Sequence, residues 1–535
     1  MNRLTKLASN QALSWLLLAL VILAAAAVRF HLLDVPLERD EGEYAYAGQL
    51  LLQGIAPYAQ VYNMKMPGIY ATYALVMSMF GETHVGIHLG LLLVNAATTL
   101  LLFLLVRRLF DGFTAVAAAA CFAFLSLGQP VQGIFANAEH FVLLPAIGGI
   151  LLLARGIESG RCPTLFIAAL LLGLAFLMKQ HAVFFIAFGG LYLLLEESRK
   201  QPFSWRRVTV KGLLYLAGVT LPFLLTCLLL YRAGVFDKFW FWTFDYAREY
   251  VSSMPWSTGM RNLALHSQEI IGSSLLMWLV AILGLASFTW RRRGWLFVLL
   301  FAVSSFLAVT PGLYFRSHYF VLLLPAVALL FGVGATALRE LLKKLSTQKA
   351  AQAIPVVLVL LTLAHGAWQQ RDFLFRMEPD EILRSTYDLN PFPESPEIAR
   401  YLQENTDEGD RIAVVGSEPQ IYFYANRRSA TGHIYTYPMM QDHPHALPMQ
   451  REMIDEIERA RPSHLVFANV PTSWLMTKRS EKLIFEWVAE YTRKHYEKVG
   501  VVDIGHNGTN YVWGEDARRY RVQSSASLSV FRRVN

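Results

Sequence analysis

The sequence predicts a polytopic α-helical membrane protein with a soluble α/β domain at its C-terminal end. Of its 535 residues, 54% are hydrophobic and only 16% are charged, whereas a soluble globular chain is about a quarter charged. Long apolar runs alternate with short basic tracts up to about residue 370, and a mixed, ordinary sequence follows. These observations predict a transmembrane domain over residues 1–370 and a soluble domain over residues 371–535.

The apolar runs predict about eleven transmembrane helices. They begin near residues 13, 85, 113, 141, 164, 182, 212, 268, 294, 318 and 354. The first run has the length of a full span and is not followed by a small-x-small cleavage site. We therefore interpret it as an uncleaved anchor and not as a signal peptide.

The distribution of lysine and arginine among the connecting segments predicts the orientation of the protein in the membrane. If the N-terminus with Arg3 and Lys6 is cytoplasmic, five connecting segments on that side are all basic, as the positive-inside rule expects. These segments are 107–112, 155–161, 196–211, 290–294 and 338–349. We expect a multi-pass protein of a bacterial inner membrane whose C-terminal domain is periplasmic. The net charge of +8 then reflects orientation and contact with membrane lipids, and no nucleic-acid partner is predicted.

The first periplasmic loop, residues 31–84, is too long to be a simple connection. It contains "DEGEYAYAGQLLLQG" and "PGIYATYALVMSMFG", which we predict to be two amphipathic helices lying along the membrane interface.

The C-terminal region alternates helical and strand patterns. "RIAVVG", "HLVFANV", "EKVGVVDIG" and "TNYVWG" have the apolar, β-branched character of strands. None of the three cysteines lies in this region, so the predicted α/β domain has neither a disulfide nor a paired-cysteine metal motif.

Polar residues, most of them ionisable, collect on the predicted periplasmic rim, where ionisable groups suggest function. They are Asp40, Glu41, Glu43, Tyr62 and Lys65; Asn137, Glu139 and His140; Lys179, Gln180 and His181; and Arg316, His318 and Tyr319. Cations could hold an anionic lipid headgroup there while a carboxylate acts as a base.

Structural explanations stay open for several of these residues. Asp40 and Glu41 would also favour a helix N-terminus, and Lys65 would also extend from an interfacial helix towards water. Arg316 and His318 also suit an ordinary interface. Glu139 is harder to explain structurally because it lies in a tight loop between two spans. Lys179 is harder to explain because it ends its span, without an arginine cluster, on the outer side, where positive charge is disfavoured.

The ordered motifs resemble the GT-C class of integral membrane glycosyltransferases. The resemblance is to its bacterial branch, which is related to protein O-mannosyltransferases and the lipid A aminoarabinose transferase. It rests on "DE-x-x-Y" (Asp40, Glu41, Tyr44), "Y-x-x-K-x-P" (Tyr62, Lys65, Pro67), an acid after the third span, a lysine closing the fifth, and "HYFVLLLPA" opening a late span. It covers most of residues 30–340.

The resemblance implies transfer of a hexosyl or pentosyl group from a polyprenyl-phosphate donor to a lipid, glycan or protein acceptor, with inversion. It implies Asp40 as the general base with Glu41 beside it, and Lys65 and Lys179 at the donor phosphate. Tyr44 and Tyr62 would line that site, and Glu139 matches the second acidic position. Arg316, His318 and Tyr319 complete the predicted donor-binding set.

Two positions depart from the aminoarabinose enzyme. Met64 stands where that enzyme has an acid, and Glu43 replaces a basic residue, so its sugar and lipid A specificity are not expected here. No cofactor is required and no metal is predicted, although carboxylates also ligate Mg²⁺.

Two other functions stay open. A transporter or flippase for lipid-linked sugars would have paired half-sequences and interrupted helices near the bilayer midplane. A non-catalytic membrane assembly subunit would bind the donor without turning it over.

Overall fold

The computed structural model describes residues 3–345 and 349–534, and it describes side chains over residues 11–344 and 353–534. The side chains of Arg3 and Lys6 and part of the basic segment 338–349 lie outside the described residues. Contacts divide the chain into two compact units. The first comprises Met1–Leu33, His88–Leu228 and Met254–Arg376, and the second comprises Asp34–Ile87, Leu229–Ser253 and Met377–Asn535.

Apolar helices dominate the chain up to residue 370. Six in the described residues are long and apolar enough to cross a membrane: Gln11–His31, His84–Leu109, Ala138–Ser159, Gln180–Arg199, Trp205–Arg232 and Ser317–Lys344. A seventh candidate is the pair Trp256–Gly272 and Leu275–Thr289, which is bent by 103°. Four shorter apolar helices are Gly112–Leu125, Cys162–Met178, Trp295–Leu307 and Ala353–Gln369.

The predicted apolar runs all coincide with these helices, and the prediction of a helical membrane fold is confirmed. By length and composition, six or seven of the helices qualify as spans. The number eleven therefore stays a prediction.

Small residues allow the helices of the first unit to approach closely. A Cβ on Gly284 would lie 2.0 Å from the backbone oxygen of Leu330, and a Cβ on Gly334 would lie 2.0 Å from that of Val280. Because lipid offers no hydrophobic drive for association, such backbone contact is a main source of helix packing in membranes.

The second unit begins with the two helices predicted in the first loop, Arg39–Leu52 and Pro67–Phe80. Eleven of the fourteen residues of Arg39–Leu52 are buried, because the helix packs against both Pro67–Phe80 and Gln420–Ala425. This helix therefore lacks the exposed face of the predicted amphipathic helix, and its position at the membrane interface stays a prediction. The sequence pattern did not reveal that the distant C-terminal region would cover its second face.

The remaining helical segments of the second unit are short or amphipathic. They are Phe236–Trp240, the π-helical turn Phe241–Tyr246, Ala247–Ser252, Pro379–Tyr387, Ser395–Glu404, Gln420–Ala425, Tyr437–Met440, Ala446–Ala460, Pro471–Trp474, Leu483–His495 and Glu515–Arg519.

A six-stranded mixed sheet forms the core of the C-terminal region. Its strands are β1 Arg411–Val415, β2 Arg428–Ser429, β3 His464–Asn469, β4 Tyr496–Gly505, β5 Gly508–Trp513 and β6 Ala526–Arg533. The order is β2-β1-β3-β6-β4-β5, with β1 parallel to β2 and β3 and the other pairs antiparallel. The strands alternate along the chain with helices, as in other α/β domains. The four strands predicted from sequence are confirmed.

Arg39 fastens its helix to the C-terminal region of the second unit. Its Nε donates to the Ser417 carbonyl oxygen at 2.5 Å, and its Nη2 donates to Asn390 Oδ1 at 2.9 Å and to Glu418 Oε1 at 3.2 Å. Glu418 is fully buried, so removing the arginine would leave an uncompensated buried carboxylate.

Gly42 sets how closely this helix approaches Gln420–Ala425. A Cβ at position 42 would lie 2.5 Å from Gln420 Cβ and 2.7 Å from its Cα. We expect Gly42→Ala to lower the free energy of unfolding of the second unit by about 1–3 kcal/mol through overpacking. Gly212 is the matched control, since a Cβ there meets nothing within 4 Å. The midpoint of thermal unfolding is measured in detergent. Equal midpoints for Gly42→Ala, Gly212→Ala and the wild type would contradict the close contact at Gly42.

Candidate functional site

A capping box begins the helix that carries the acidic motif. The Glu38 side chain accepts a hydrogen bond from the Glu41 backbone N–H at 3.1 Å, and Glu41 Oε2 accepts one from the Glu38 N–H at 3.1 Å. This exchange satisfies two N–H groups that a helix start leaves unpaired. Burial, reinforced by the charges of Asp40 and Glu41, raises the pKa of Glu38 well above its usual range. The structure thus gives Glu41 a role in holding the helix start.

The same helix start presents Asp40 to a lysine and a tyrosine. Lys65 Nζ donates to Asp40 Oδ2 at 2.7 Å, and the Tyr435 hydroxyl donates to Asp40 Oδ1 at 2.5 Å. Tyr44, one turn further along the helix, lies 3.4 Å from Asp40 Oδ2 and accepts from Lys65 Nζ at 3.1 Å. We call Asp40, Tyr44, Lys65 and Tyr435 the Asp40 cluster. It joins three predicted site residues to one that was not predicted.

Glu43 supports the segment that carries Lys65. It lies three residues after Asp40, on the same face of the helix, and is fully buried. Its Oε2 accepts from Asn63 Nδ2 at 2.8 Å, and its Oε1 accepts from the Tyr70 hydroxyl at 2.6 Å. Asn63 in turn accepts from the Met64 N–H at 2.7 Å. Glu43 therefore orders the turn that leads into Lys65.

Burial is the main cause that raises the pKa of Glu43 from about 4.5 to about 7. The Lys65 ammonium lowers this pKa, the Asp40 carboxylate raises it, and the hydrogen bonds from Tyr70 and Asn63 lower it. Burial thus brings the pKa of Glu43 to about 7, close to neutral pH.

Tyr62 lies in a different set of contacts within the second unit. Its hydroxyl donates to Glu456 Oε1 at 3.2 Å, its ring stacks on Trp242 at 6.3 Å, and Lys238 Nζ lies 4.1 Å from its centroid. Glu452 joins this group by pairing with Lys238 at 2.6 Å. The hydrogen bond of Tyr62 therefore goes to the C-terminal helix Ala446–Ala460, and its predicted role at the donor stays a prediction.

The first unit holds the other predicted residues in a second cluster. Lys179 Nζ forms an ion pair with Glu139 Oε1 and lies 4.2 Å from the centroid of the Tyr319 ring. His318 Nε2 lies 4.0 Å from the same Glu139 oxygen. We call Glu139, Lys179, His318 and Tyr319 the Glu139 cluster. Arg316 lies on the same segment as His318, with its guanidinium 5.5 Å from the Tyr314 ring.

Local backbone geometry explains how the Glu139 cluster is placed. Glu139 lies in the first turn of Ala138–Ser159, where a carboxylate suits the helix dipole, and Lys179 ends Cys162–Met178 as its C-cap. Gln132, in the left-handed region at φ 53°, contacts His318 Nδ1 through its Oε1 at 2.9 Å. Glu139 is 1% exposed, and its Oε2 has no hydrogen-bond partner among the described residues. A ligand donor could therefore bind there.

Both clusters pair a carboxylate with an ammonium group in surroundings that are mostly closed to water. The side chains of Asp40 and Lys65 are 18% and 17% exposed. Such pairs attract more strongly than pairs in water, but each charge has lost hydration, so an anion that offers better contacts can compete for the lysine. Within the described residues, no group of three or more His, Cys, Asp or Glu side chains could hold a metal ion.

Sequence reasoning selected the four residues that form the two ion pairs, but it predicted neither pairing and missed Tyr435 and Gln132. Tyr435 follows the acidic motif by 395 residues, and no local pattern connects the two positions. Gln132 lies in a short irregular segment that carried no motif.

Comparison with known proteins bears on the fold. The dolichyl-phosphate-mannose-protein mannosyltransferase family matches residues 65–242. The structure of ArnT from Cupriavidus metallidurans bound to undecaprenyl phosphate matches with a TM-score of 0.59 and 16% sequence identity, covering 96% of this chain and 97% of that one. This chain has the GT-C fold. The predicted resemblance to the GT-C class is confirmed.

A second GT-C structure is also similar. The archaeal oligosaccharyltransferase AglB from Archaeoglobus fulgidus, in complex with an inhibitory peptide and a dolichol-phosphate, gives a TM-score of 0.53 at 13% identity, covering 93% of this chain and 74% of that one. No curated protein sequence matches the chain significantly.

Glu43 gives the site a testable pH dependence. Because burial raises its pKa in the folded state, the folded protein binds more protons than the unfolded protein between about pH 4.5 and 7. Its contribution to stability is therefore fully present below pH 4.5 and is lost as the pH rises through about 7. We expect the thermal unfolding midpoint of the wild type to fall between about pH 4.5 and 7, and we expect Glu43→Gln to reduce the size of that fall.

The control for this measurement is Glu404→Gln, whose side chain is 58% exposed. It should leave the pH dependence of the unfolding midpoint as in the wild type. An unchanged slope in Glu43→Gln would contradict the assignment.

Proposed function

We propose that the protein is an inverting glycosyltransferase that uses a polyprenyl-phosphate-linked hexosyl or pentosyl donor. The acceptor is the hydroxyl or other nucleophilic group of a lipid, a glycan or a protein. The observation that carries this proposal is the Asp40 cluster: a carboxylate paired with Lys65 at 2.7 Å and contacted by two tyrosine hydroxyls.

The comparisons support a lipid-linked donor. The ArnT structure holds undecaprenyl phosphate, the AglB structure holds a dolichol-phosphate, and the matching family is described by dolichyl-phosphate-mannose. Each of these ligands joins a phosphate to a long isoprenoid chain, which suits a protein with extensive apolar helices. We propose a donor of the same chemical class.

Asp40 is assigned as the general base. When the donor phosphate takes over the Lys65 ammonium, the Asp40 carboxylate loses its cation and becomes more basic. It then accepts the proton of the acceptor hydroxyl as the acceptor oxygen attacks the anomeric carbon. The bond from that carbon to the phosphate oxygen breaks, and its electron pair leaves with the polyprenyl phosphate. Attack opposite the leaving group inverts the anomeric centre.

The lysines are assigned to the leaving group. A departing phosphate gains negative charge in the transition state, and a preorganised ammonium stabilises that charge without a nucleotide-binding fold. Lys65 can stabilise the leaving phosphate once the phosphate replaces Asp40 as its partner. Lys179 can do the same once the phosphate replaces Glu139. His318 and Arg316 are assigned to the donor by resemblance. Glu41 is assigned to the helix cap that positions Asp40.

We place the protein in a bacterial inner membrane, with about eleven spans, a cytoplasmic N-terminus and the region 371–535 in the periplasm. The basic connecting segments support this orientation. The catalytic region 31–84 would then also face the periplasm, where lipid-linked sugars serve envelope glycans.

A transporter of lipid-linked sugars is the second candidate. A transporter would have interrupted helices. The 103° bend between Trp256–Gly272 and Leu275–Thr289 is one such interruption. Glycosyl transfer, however, requires a base for the acceptor and a cation for the leaving phosphate, and the two buried carboxylate–lysine pairs can supply both. We therefore favour the transferase. The two functions differ in whether the donor bond is broken.

Turnover of the donor tests the assignment. With a panel of radiolabelled polyprenyl-phosphate sugars and the protein in lipid vesicles, Asp40→Asn should slow release of polyprenyl phosphate by about 100-fold or more, since a general base contributes about 10²–10⁴ in rate. Lys65→Met should lose a comparable factor because the leaving group loses its cation. Reactions with and without chelator test for a required metal.

Asp34→Asn is the control, because Asp34 is an exposed carboxylate of the same loop. It should turn over donor like the wild type. If wild-type protein binds a donor and leaves it intact, or if Asp40→Asn keeps full activity, the transferase mechanism is wrong and transport or assembly takes its place.

A further inference from the structure

A large apolar groove lies in the first unit, and no residue of either cluster lines it. Its volume is about 1060 Å³, at the top of the ~300–1,000 Å³ range of sites for drug-sized ligands. Its walls are apolar side chains from three helices, Leu17 and Val21 from Gln11–His31, Val116 from Gly112–Leu125, and Leu360 and Leu363 from Ala353–Gln369.

The groove has the length of a lipid chain. Its lining follows the first helix from Gln11 to Ala24, which at 1.5 Å per residue is about 20 Å. Half of a hydrocarbon core of ~30 Å is about 15 Å, so the groove can hold an acyl chain that enters one leaflet.

The polar residues of the groove all lie at one end. Arg107 ends its helix, Asp111 caps Gly112–Leu125, and Arg339 lies in the last turns of Leu324–Leu345. Gln11 and Ser14 join them from the start of the lining. The opposite end, near Ala24 and Leu363, is apolar. This polarity is that of an amphiphile with one headgroup.

The two arginines retain unused capacity for an anion. Among the described side chains, no carboxylate forms an ion pair with Arg107, whose guanidinium stacks 5.4 Å from the Trp15 ring. Arg339 Nη2 pairs with Asp111 at 2.8 Å, but its Nε is buried without a hydrogen-bond partner among the described residues. With Asp111 included, this end keeps a net positive charge.

We propose that this groove binds a phospholipid with an anionic phosphodiester headgroup, of the phosphatidylglycerol class. The acyl chain lies along Leu17, Val21 and Leu360, and the phosphate lies at Arg107 and Arg339. Both arginines belong to segments predicted to be cytoplasmic, so the lipid comes from that leaflet. Basic pockets between transmembrane helices bind anionic headgroups by the same physics.

Native mass spectrometry of the full-length protein in detergent tests this site. Phosphatidylglycerol and phosphatidylcholine of equal chain length are added separately, and retained adducts are counted. We expect Arg107→Gln to weaken retention of phosphatidylglycerol about fivefold, the factor equivalent to about 1 kcal/mol for one arginine near a headgroup. Phosphatidylcholine retention should change little.

Two further variants separate a specific site from general lipid contact. Arg155→Gln removes an exposed arginine of another connecting segment outside the groove and should retain phosphatidylglycerol like the wild type. Leu17→Trp keeps both arginines and fills the groove, so it should also lose the adduct. Equal losses from Arg107→Gln and Arg155→Gln, or full retention by Leu17→Trp, would overturn the proposal.

A polyprenyl phosphate is the competing occupant. Undecaprenyl phosphate is added together with phosphatidylglycerol. If it displaces the phospholipid from the wild type and loses more affinity than the phospholipid in Arg107→Gln, the groove is a polyprenyl-phosphate site and the phospholipid assignment is wrong. Retained phosphatidylglycerol supports the assignment.

Discussion

The ion pair between Asp40 and Lys65 is the interaction on which the proposed chemistry depends. Two opposite charges that are less than a fifth exposed have lost much of their hydration, and good geometry must offset that loss. Here Tyr435 and Tyr44 supply additional hydrogen-bond contacts at Asp40. These contacts hold Asp40 against Lys65 when no donor is bound. Any phosphate that binds the lysine removes that restraint.

The C-terminal region forms part of the scaffold for this pair. Tyr435 contacts Asp40 directly, and the neighbouring Arg39 is fastened to Ser417, Asn390 and Glu418. Gly42 allows the helix to lie against Gln420. A change far along the chain, in residues 417–437, would therefore alter the geometry of Asp40 without touching the first loop. The C-terminal region therefore supplies side chains that position the acidic motif of the first loop.

The sequence predicted the membrane fold, the residues that form the two ion pairs and the strands of the tail, because each leaves a local signal. Apolar length predicts helices, alternation predicts strands, and a charged residue beside a span predicts a polar site. Buried packing between distant segments leaves no such signal. For that reason the helix Arg39–Leu52 was expected to have one exposed face and is instead covered on both faces, and Tyr435 and Gln132 were missed. Glu43 was visible as a charge, but only the structure gives it Asn63 and Tyr70 as partners.

The central claim is that a phosphate and Asp40 compete for Lys65, and binding of the reaction product tests it directly. The dissociation constant of undecaprenyl phosphate is measured by equilibrium binding for the wild type, Asp40→Asn and the control Asp34→Asn. The account predicts tighter binding to Asp40→Asn, because Lys65 no longer exchanges a carboxylate for the phosphate, and no change for Asp34→Asn. Unchanged or weaker binding by Asp40→Asn would contradict it.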